Sequence, residues 1–457
     1  MNIHETKKIA VIGSGPSGAL ASYVLLHHGF SVEMLDIGKK FDSDDDQLTG
    51  QRLGLKSLHG SFHAYDLQNI TGLSPMTGTT HSLIPSVGFG GFSTFWGAAA
   101  SSPSSLPNWL IEGLGLTFST RDEILKMNSV SVNQIQTKYP LDRANPLIAI
   151  DATKCTLCGR CLIGCPENAF WSSLGVLKKM QANEHFEYTG GVCVEKILDS
   201  NSSGKKTIEM FTTQGKIKRV DYDAIFLGAG VVGTSSILLK SELTNQVALY
   251  ETQLGIMPFF KRKRGKTPEK FSALSDALDI SVRDLHIHYQ LYFDSFYSLL
   301  PKFEGLPLFA QKIAKFIWKI ISPWIGVALI YIGEAHSDRA LLTKDCSDHR
   351  RINVEVVHNS LNKQAWRLAI KSLKKSTLKG EVLFMGLLLR KLSFGGSNHV
   401  RGDISESKSK LFDSNIVLID AMSMDTIEPG PVTIKIMENA FKEISDWIEV
   451  SGLVHEN

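Results

Sequence analysis

A strand, a glycine turn, a helix and a second strand open the chain, in the stretch KIAVIGSGPSGALASYVLLHHGFSVEMLD from Lys8 to Asp36. This unit restricts the fold more than any other stretch, because parallel strands joined by a crossover helix commit the chain to an α/β sheet covered on both faces. Gly13 permits the tight turn, Gly15 lets the backbone approach a pyrophosphate, and Gly18 lets the helix pack against the sheet. Phosphates then meet the unpaired N–H groups of the helix N-terminus. Asp36 ends the second strand at the distance where an acid accepts from a ribose 2′-OH, which argues against a 2′-phosphate and so against NADPH in this crevice.

A second signal announces a different redox centre. The run KCTLCGRCLIGCP places Cys155, Cys158, Cys161 and Cys165 at the C-x2-C-x2-C-x3-C-P spacing that holds a 4Fe-4S cluster. Thiolates at this spacing also suit zinc, but zinc motifs separate two C-x2-C pairs by a longer loop. A disulfide framework fits poorly, since only 6 of 457 residues are Cys. In two-cluster ferredoxins the fourth Cys of each run serves the other cluster, and here there is one run. The fourth ligand is therefore either Cys165 itself or a remote thiol, Cys193 or Cys346; the reading favours Cys165.

The bulk properties exclude more than they select. The length is enough for two packed domains, and 43% apolar with 21% charged residues is ordinary for a globular protein. A net charge of +3 does not suggest nucleic acid. Basic residues do cluster at Lys261-Arg262-Lys263-Arg264 with Lys266, read as a solvated loop or, less simply, as a site for anionic lipid or a phosphorylated substrate. The first residues run straight into a strand, Lys8 to Ile12, without a charged and then apolar leader, so the expected location is cytoplasmic, or peripheral on the cytoplasmic membrane.

Further stretches point to a flavin rather than NAD. GFGGFSTFWGAAA, from Gly88 to Ala100, is glycine-rich and can lie flat against an extended cofactor. DAIFLGAGVVGTSSILLKS gives a buried strand at Ala224–Leu227, the turn Gly228-Ala229-Gly230 and a helix reaching Leu239. NIVLIDAMSMDTIEPGPVTIKIMENAF gives an apolar strand at Ile416–Ile419, then Asp420 and a last helix.

In this order the stretches resemble the glucose–methanol–choline family of flavoprotein oxidoreductases. GSGPSG at Gly13–Gly18 resembles its dinucleotide fingerprint, GGFSTFWGA at Gly90–Ala98 its second FAD-contacting loop, and LGAGVVGTSSILLKS its third turn. SNHVRGD at Ser397–Asp403 resembles the segment with the active-site His, and LIDAMSMDTIEPGPVTIKIMENA the closing strand and helix. The resemblance implies FAD, oxidation of a CH–OH group, and an α/β fold: a Rossmann-like FAD-binding domain with a second α+β substrate domain built on an antiparallel sheet. The cysteine run is a small ferredoxin-like insertion that the commonest members lack.

Carried over residue by residue, the candidate cofactor contacts are Gly13, Gly15, Pro16, Ser17, Gly18 and Asp36; Gly90, Gly91, Ser93, Trp96 and Gly97; Val192; Gly228, Ala229 and Gly230; and Asp420, Pro431 and Val432. His399 matches the catalytic position, where a His accepts the hydroxyl proton as hydride leaves for the flavin; a His is also the usual general base near neutral pH. Two departures stand out. The triplet after the family's His is replaced by Val400-Arg401-Gly402-Asp403, and the second His or Asn expected before the last helix falls at Pro429-Gly430-Pro431. Asn398 is the candidate helper.

The expected division is 1–105 for the first FAD-binding part, 106–180 for a linker with the cluster motif at 155–166, and 181–242 for the second FAD-binding part. Residues 243–390 form the substrate domain, and 391–457 carry the active-site His and closing strand and helix. Within the substrate domain, Leu285, Ile287, Tyr289 and Leu291 alternate with His286, His288, Gln290 and Tyr292, which predicts a strand with one buried face. The two histidines could hold a metal but read more simply as facing the substrate cavity or solvent. Leu306–Gly326 reads as an amphipathic helix with Lys312, Lys315 and Lys319 on one face. It is too interrupted to span a bilayer, and either packs on the core or lies in a membrane interface. VALIYIGEAHSDRALLTKD predicts two short strands joined by a polar turn, and residues 201–205 a hairpin turn.

The expected function is a dehydrogenase of an alcohol or sugar-like substrate, lipid-linked molecules included. Hydride goes to FAD and electrons leave singly through the 4Fe-4S cluster to an external acceptor, a quinone, cytochrome or ferredoxin-like protein. The alternatives are an electron-transfer subunit, a reductase running the opposite way, and an enzyme whose cluster is structural.

Overall fold

The computed structural model describes residues 7–38, 73–75, 81–94, 96–127, 147–158, 165, 167–202, 204–212, 215–262, 276–282, 284–292, 307–348, 351–375 and 382–451. Five parallel strands form the central sheet, in the order Ile416–Leu418, Ala224–Leu227, Lys8–Ile12, Ser31–Asp36 and Phe186–Gly190. Their apolar runs are buried on both faces, as a parallel sheet requires. Helices Pro16–His27 and Thr433–Val450 share one core cluster, where Leu20 and Leu25 meet Ile434, Met437 and Trp447. Helix Gly230–Lys240 packs into a separate cluster with Ile12 and Leu227.

The first strand sits in the middle, with its sequence successor on one side and Ala224–Leu227 on the other. The strand order therefore reverses at its carboxyl end, which is where open α/β sheets bind ligands. Gly13 and Gly228 touch at this point: a Cβ on Gly13, whose φ is 100°, would lie 2.3 Å from the Gly228 carbonyl oxygen.

A six-stranded antiparallel sheet stands beside the parallel one, in the order Asp276–Val282, Leu285–Tyr292, Ile325–Ile332, Gln253–Lys261 and Val382–Phe384, with Arg390–Lys391 pairing beside the last. Helix Asn362–Lys375 covers one face, burying Ala365, Trp366, Ala369 and Leu373 against Met257, Phe259, Tyr289 and Phe384. The expectation of one buried face for Leu285–Tyr292 is corrected here. Of its eight residues only His286 is exposed, because Gln290 and Tyr292 on the second face line a cavity.

A third sheet orders Val400–Asp403, Gln246–Glu251, Arg339–Lys344, Ile352–Val357 and Leu73–Pro75. The chain crosses between these two sheets through Thr252 and the turn Glu334–His336, and again through helix Asn362–Lys375 and through the loop before Val400. The two strands expected in 327–345 are thus present but belong to different sheets. The basic run at 261 is also corrected: Lys261 is buried at a strand end rather than in a solvated loop, Arg262 is exposed, and 263–266 lie outside the described residues. The turn near 201–205 does join an antiparallel pair. The cysteine segment follows a small sheet of Ala99–Ala100, Leu147–Ala149 and Phe118–Ser119.

Candidate active site

A cavity of about 510 Å³ runs along the carboxyl end of the parallel sheet and under the antiparallel one. The first glycine turn forms its floor. A Cβ on Gly15 would meet no protein atom within 4 Å, so this backbone is open to a ligand, whereas one on Gly18 would lie 1.9 Å from the Gly13 carbonyl oxygen. The two glycines thus do different work, Gly15 toward the cavity and Gly18 toward the fold. Pro16 and Ser17 start the helix at the cavity wall.

Asp36 accepts hydrogen bonds from the backbone N–H groups of Ser14 and Gly38, both 2.6 Å. Burial pushes its carboxyl up to about 6 against those bonds, which favour the charged form. Asp420 plays the matching part beside the third turn. It accepts from the Thr234 hydroxyl at 2.5 Å and the Met422 N–H at 2.9 Å, and burial pushes it up to about 6 as well. Gly228, Ala229, Gly230, Pro431, Val432 and Val192 complete this wall. The buried Ser86 hydroxyl, also on the wall, has no protein partner.

The second loop is fastened from behind. Gly90 N–H donates to the Ser14 hydroxyl at 2.8 Å, and the Gly90 carbonyl accepts from Ser93 and Ser173 at 2.7 and 2.8 Å. Gly18, Gly90 and Ser93 therefore sit behind the lining, while Gly91, Trp96 and Gly97 are part of it.

Trp96 connects this wall to the cysteine segment. Its indole N–H donates to the Trp171 carbonyl at 2.9 Å, the rings meet edge to face at 6.2 Å, and Trp171 N–H donates to the Ala149 carbonyl. Cys155 and Cys165 pack against the same core cluster. Burial pushes the Cys155 thiol up, and the neighbouring Cys165 and Cys158 push it further. Cys161 falls outside the described residues. Cys193 lines the cavity instead, where burial and then Glu195 push its thiol up to about 11, and Cys346 is exposed after strand Arg339–Lys344. The four cysteines offer the thiolate chemistry of such a cluster by type and spacing, but Cys155, Cys158 and Cys165 are not gathered into a group of three ligands among the described residues.

His399 enters from the opposite wall. Its ring stacks on Tyr331 with centroids 5.0 Å apart and an interplanar angle of 14°. Burial, then the nearby His288, lowers its pKa to about 4, and its Nδ1 is buried without a hydrogen-bond partner. Asn398 holds a positive φ of 55° and lines the cavity with its residue exposed.

Glu251 holds the loop that presents the imidazole. One carboxyl oxygen accepts from the Gly395 N–H at 2.9 Å and the Ser397 hydroxyl at 3.2 Å, and that hydroxyl accepts from the His399 N–H at 3.1 Å. The other oxygen is buried and unpartnered, and burial pushes the group up to about 8. Behind it, Arg401 binds Glu334 through two nitrogens at 2.6 and 3.2 Å.

The position without a polar group before the last helix is not left bare. A Cβ on Gly430 would lie 3.7 Å from the His288 ring, and His288 Nδ1 lies 2.6 Å from Asp279. Its Nε2 lies 3.3 Å from the Gln290 amide nitrogen, and Gln290 accepts from the Tyr292 hydroxyl at 3.2 Å. His286 turns instead to Ser281, and no group of three or more metal-ligating side chains occurs among the described residues. In the sequence His288 reads only as facing the substrate cavity or solvent, whereas Glu251, Tyr331 and Asp279 are not legible there. Each is a lone residue on a strand, with no spacing to mark it.

Comparison with known proteins follows the same division. Residues 147–170 match the family described as a 4Fe-4S binding domain. No curated protein matches the chain in sequence. Pyridoxine 4-oxidase from Mesorbium loti superposes with a TM-score of 0.61 at 12% identity, over 97% of this chain and 99% of that one. Formate oxidase from Aspergillus oryzae RIB40 gives 0.59 at 11%, over 98% and 100%. A fungal aryl-alcohol oxidase gives 0.56 at 10%, over 98% and 100%. Along nearly its whole length the chain has the fold of the glucose–methanol–choline type of flavoenzyme, with a 4Fe-4S binding segment set into it.

Proposed function

We propose that the chain is an FAD-dependent dehydrogenase that oxidises a CH–OH group and passes the electrons out through a 4Fe-4S cluster. The observation that carries this reading is the shared cavity. The turns at Gly13 and Gly228, with Asp36 and Asp420, form one wall, and His399 stacked on Tyr331 forms the facing one. When bound, FAD supplies a two-electron acceptor beside the alcohol carbon, and a cluster on Cys155, Cys158, Cys161 and Cys165 supplies a one-electron acceptor. Cys193 on the cavity wall and Cys346 exposed after another strand support Cys165 over a remote fourth ligand.

His399 accepts the substrate hydroxyl proton as the C–H bond gives up its electron pair and the carbonyl forms. Its low pKa keeps it neutral, and so able to accept, across the physiological range. Glu251 fixes the loop, and the Tyr331 ring fixes the imidazole plane. His288, held by Asp279, supplies the second polar group that the Pro429-Gly430-Pro431 stretch lacks. With Gln290 and Tyr292 it connects the cavity to the half-exposed Asp279 carboxylate.

The substrate class is an alcohol or sugar-like molecule, lipid-linked forms included, and the acceptor a quinone, cytochrome or ferredoxin-like protein. Anaerobic spectra before and after adding alcohols, sugars and lipid-linked sugars test the reading. Bleaching of the flavin by one class supports it and identifies the substrate type. Dithionite reducing both centres while no alcohol does would replace it with the electron-transfer or reductase reading.

A further inference from the structure

Helix Leu308–Ile321 is apolar on the outside. Phe309, Ile313, Phe316, Ile317 and Ile320 recur at helical spacing and are 47 to 68% exposed, far beyond what a core-facing stripe allows. At its end Trp324 stacks on Phe260, with centroids 5.9 Å apart and rings 9° from parallel. Phe260 is paired with Leu383, 61% exposed, and the turn Gly386–Leu388 that follows leaves Leu387 fully exposed. Helix, strand end and turn thus join into one apolar surface.

In sequence, the stretches that contribute this surface are one-sided in charge. Segments 254–266, 306–326 and 359–391 hold 16 of the chain's 49 Lys and Arg but only one of its 46 Asp and Glu, namely Glu381. The whole chain carries only +3, so the remainder is acidic and the positive charge is concentrated here. Arg262 is exposed beside Phe260, and the Lys374 amino group lies next to Gly386 in the apolar turn. Lys363, Arg367, Lys371 and Lys375 are exposed on the same helix as Lys374.

We propose that this face docks on an anionic phospholipid bilayer, the helix lying in the interface with Phe309, Phe316 and Ile320 among the acyl chains and the basic residues on the headgroups. An apolar stripe flanked by lysines is the pattern of an interfacial helix, and each basic residue near an anionic surface adds to the attraction. A second copy of this chain is the less suitable occupant, because it would bring like charge against like. No helix among the described residues is long and apolar enough to cross a membrane, so the contact is one of docking. The strand Ile325–Ile332 leads from this surface to Tyr331 in the cavity, roughly 20 Å at the rise of a strand.

The test is sedimentation of the full-length, cofactor-loaded protein with vesicles of phosphatidylcholine containing phosphatidylglycerol, and with phosphatidylcholine alone. Binding to the anionic vesicles is expected, weakened about tenfold or more by high salt or by omission of the anionic lipid. Phe316→Glu with Ile320→Glu, and separately Arg262→Glu with Lys374→Glu, are each expected to weaken it by about tenfold or more, with the bound-flavin absorbance unchanged. No binding to anionic vesicles, or binding that either pair leaves intact, would overturn the proposal. So would absence of vesicle binding together with a dimer in solution that Phe316→Glu with Ile320→Glu converts to monomer. None of these readouts depends on turnover, so the flavin reading can fail separately.

Discussion

The two walls of the cavity are built on different principles. The nucleotide wall uses backbone: its key positions are neighbours in sequence, and their demand is for the absence of a side chain, as at Gly13 and Gly15. The facing wall uses side chains brought from far apart in sequence: Tyr331 and His399 line it, with Glu251 and His288 behind them, spread over about 150 positions. A cradle made of turns leaves a local signature, whereas a site made by strand pairing leaves only single residues.

The sharpest way to break this contrast is to fill the glycines. Gly18→Val is expected to cost the fold itself, since the Cβ would overlap the Gly13 carbonyl, and circular dichroism would register the loss. Gly15→Val should leave the fold intact and abolish bound flavin absorbance, because its Cβ points into the cavity and meets no protein atom. Cys158→Ser comes next. If the cluster carries electrons, alcohol still bleaches the flavin while reduction of an external acceptor falls by orders of magnitude; a structural cluster would take flavin binding down with it.

On the other wall, His399→Asn should lower the rate of flavin reduction by roughly 10² to 10⁴ with flavin content retained. The depressed pKa adds a pH test: kcat/KM should stay level as pH falls through 6.5 and decline only on approach to about 4. A fall centred near 6.5 would mean an ordinary, hydrated histidine. His288→Ala is expected to cost on the order of tenfold, less than a direct proton acceptor, and Asp279→Asn should reproduce most of it.

The smallest effect concerns Glu251. Its folded-state pKa of about 8 stands above the ordinary carboxylate value, so the folded protein binds this proton more tightly than the unfolded chain. Stability from this group is complete below the ordinary value and is lost as pH rises toward and through 8. The loss should amount to a few kcal/mol at most. Thermal unfolding followed from about pH 4.5 to 8 should show a decline in stability, levelling above 8, that Glu251→Gln flattens.

Legibility in the sequence follows the same line. The turns at Gly13 and Gly228, the acid Asp36 at its strand end and the cysteine spacing from Cys155 to Cys165 could be read because each is fixed by local geometry. His399 could be read through its family resemblance alone. The role of Gly430 could not be read, since the ring that faces it comes from a strand about 140 positions earlier. The amphipathic helix was visible as such, but only the fold reveals that its apolar side faces out. Lys261 misled because a run of basic residues says nothing about the strand that ends within it.

The most direct measurement is a single anaerobic experiment, mixing the purified protein with a substrate alcohol while following flavin absorbance and then the electron paramagnetic resonance of the cluster. The expected result is flavin bleaching that His399→Asn slows by roughly 10² to 10⁴ and Cys158→Ser spares, followed in the unaltered protein by the signal of a reduced cluster. Bleaching that persists at full rate in His399→Asn would contradict the assignment of the proton acceptor. A flavin that no alcohol reduces, beside a cluster that dithionite does, would contradict alcohol oxidation at this cavity.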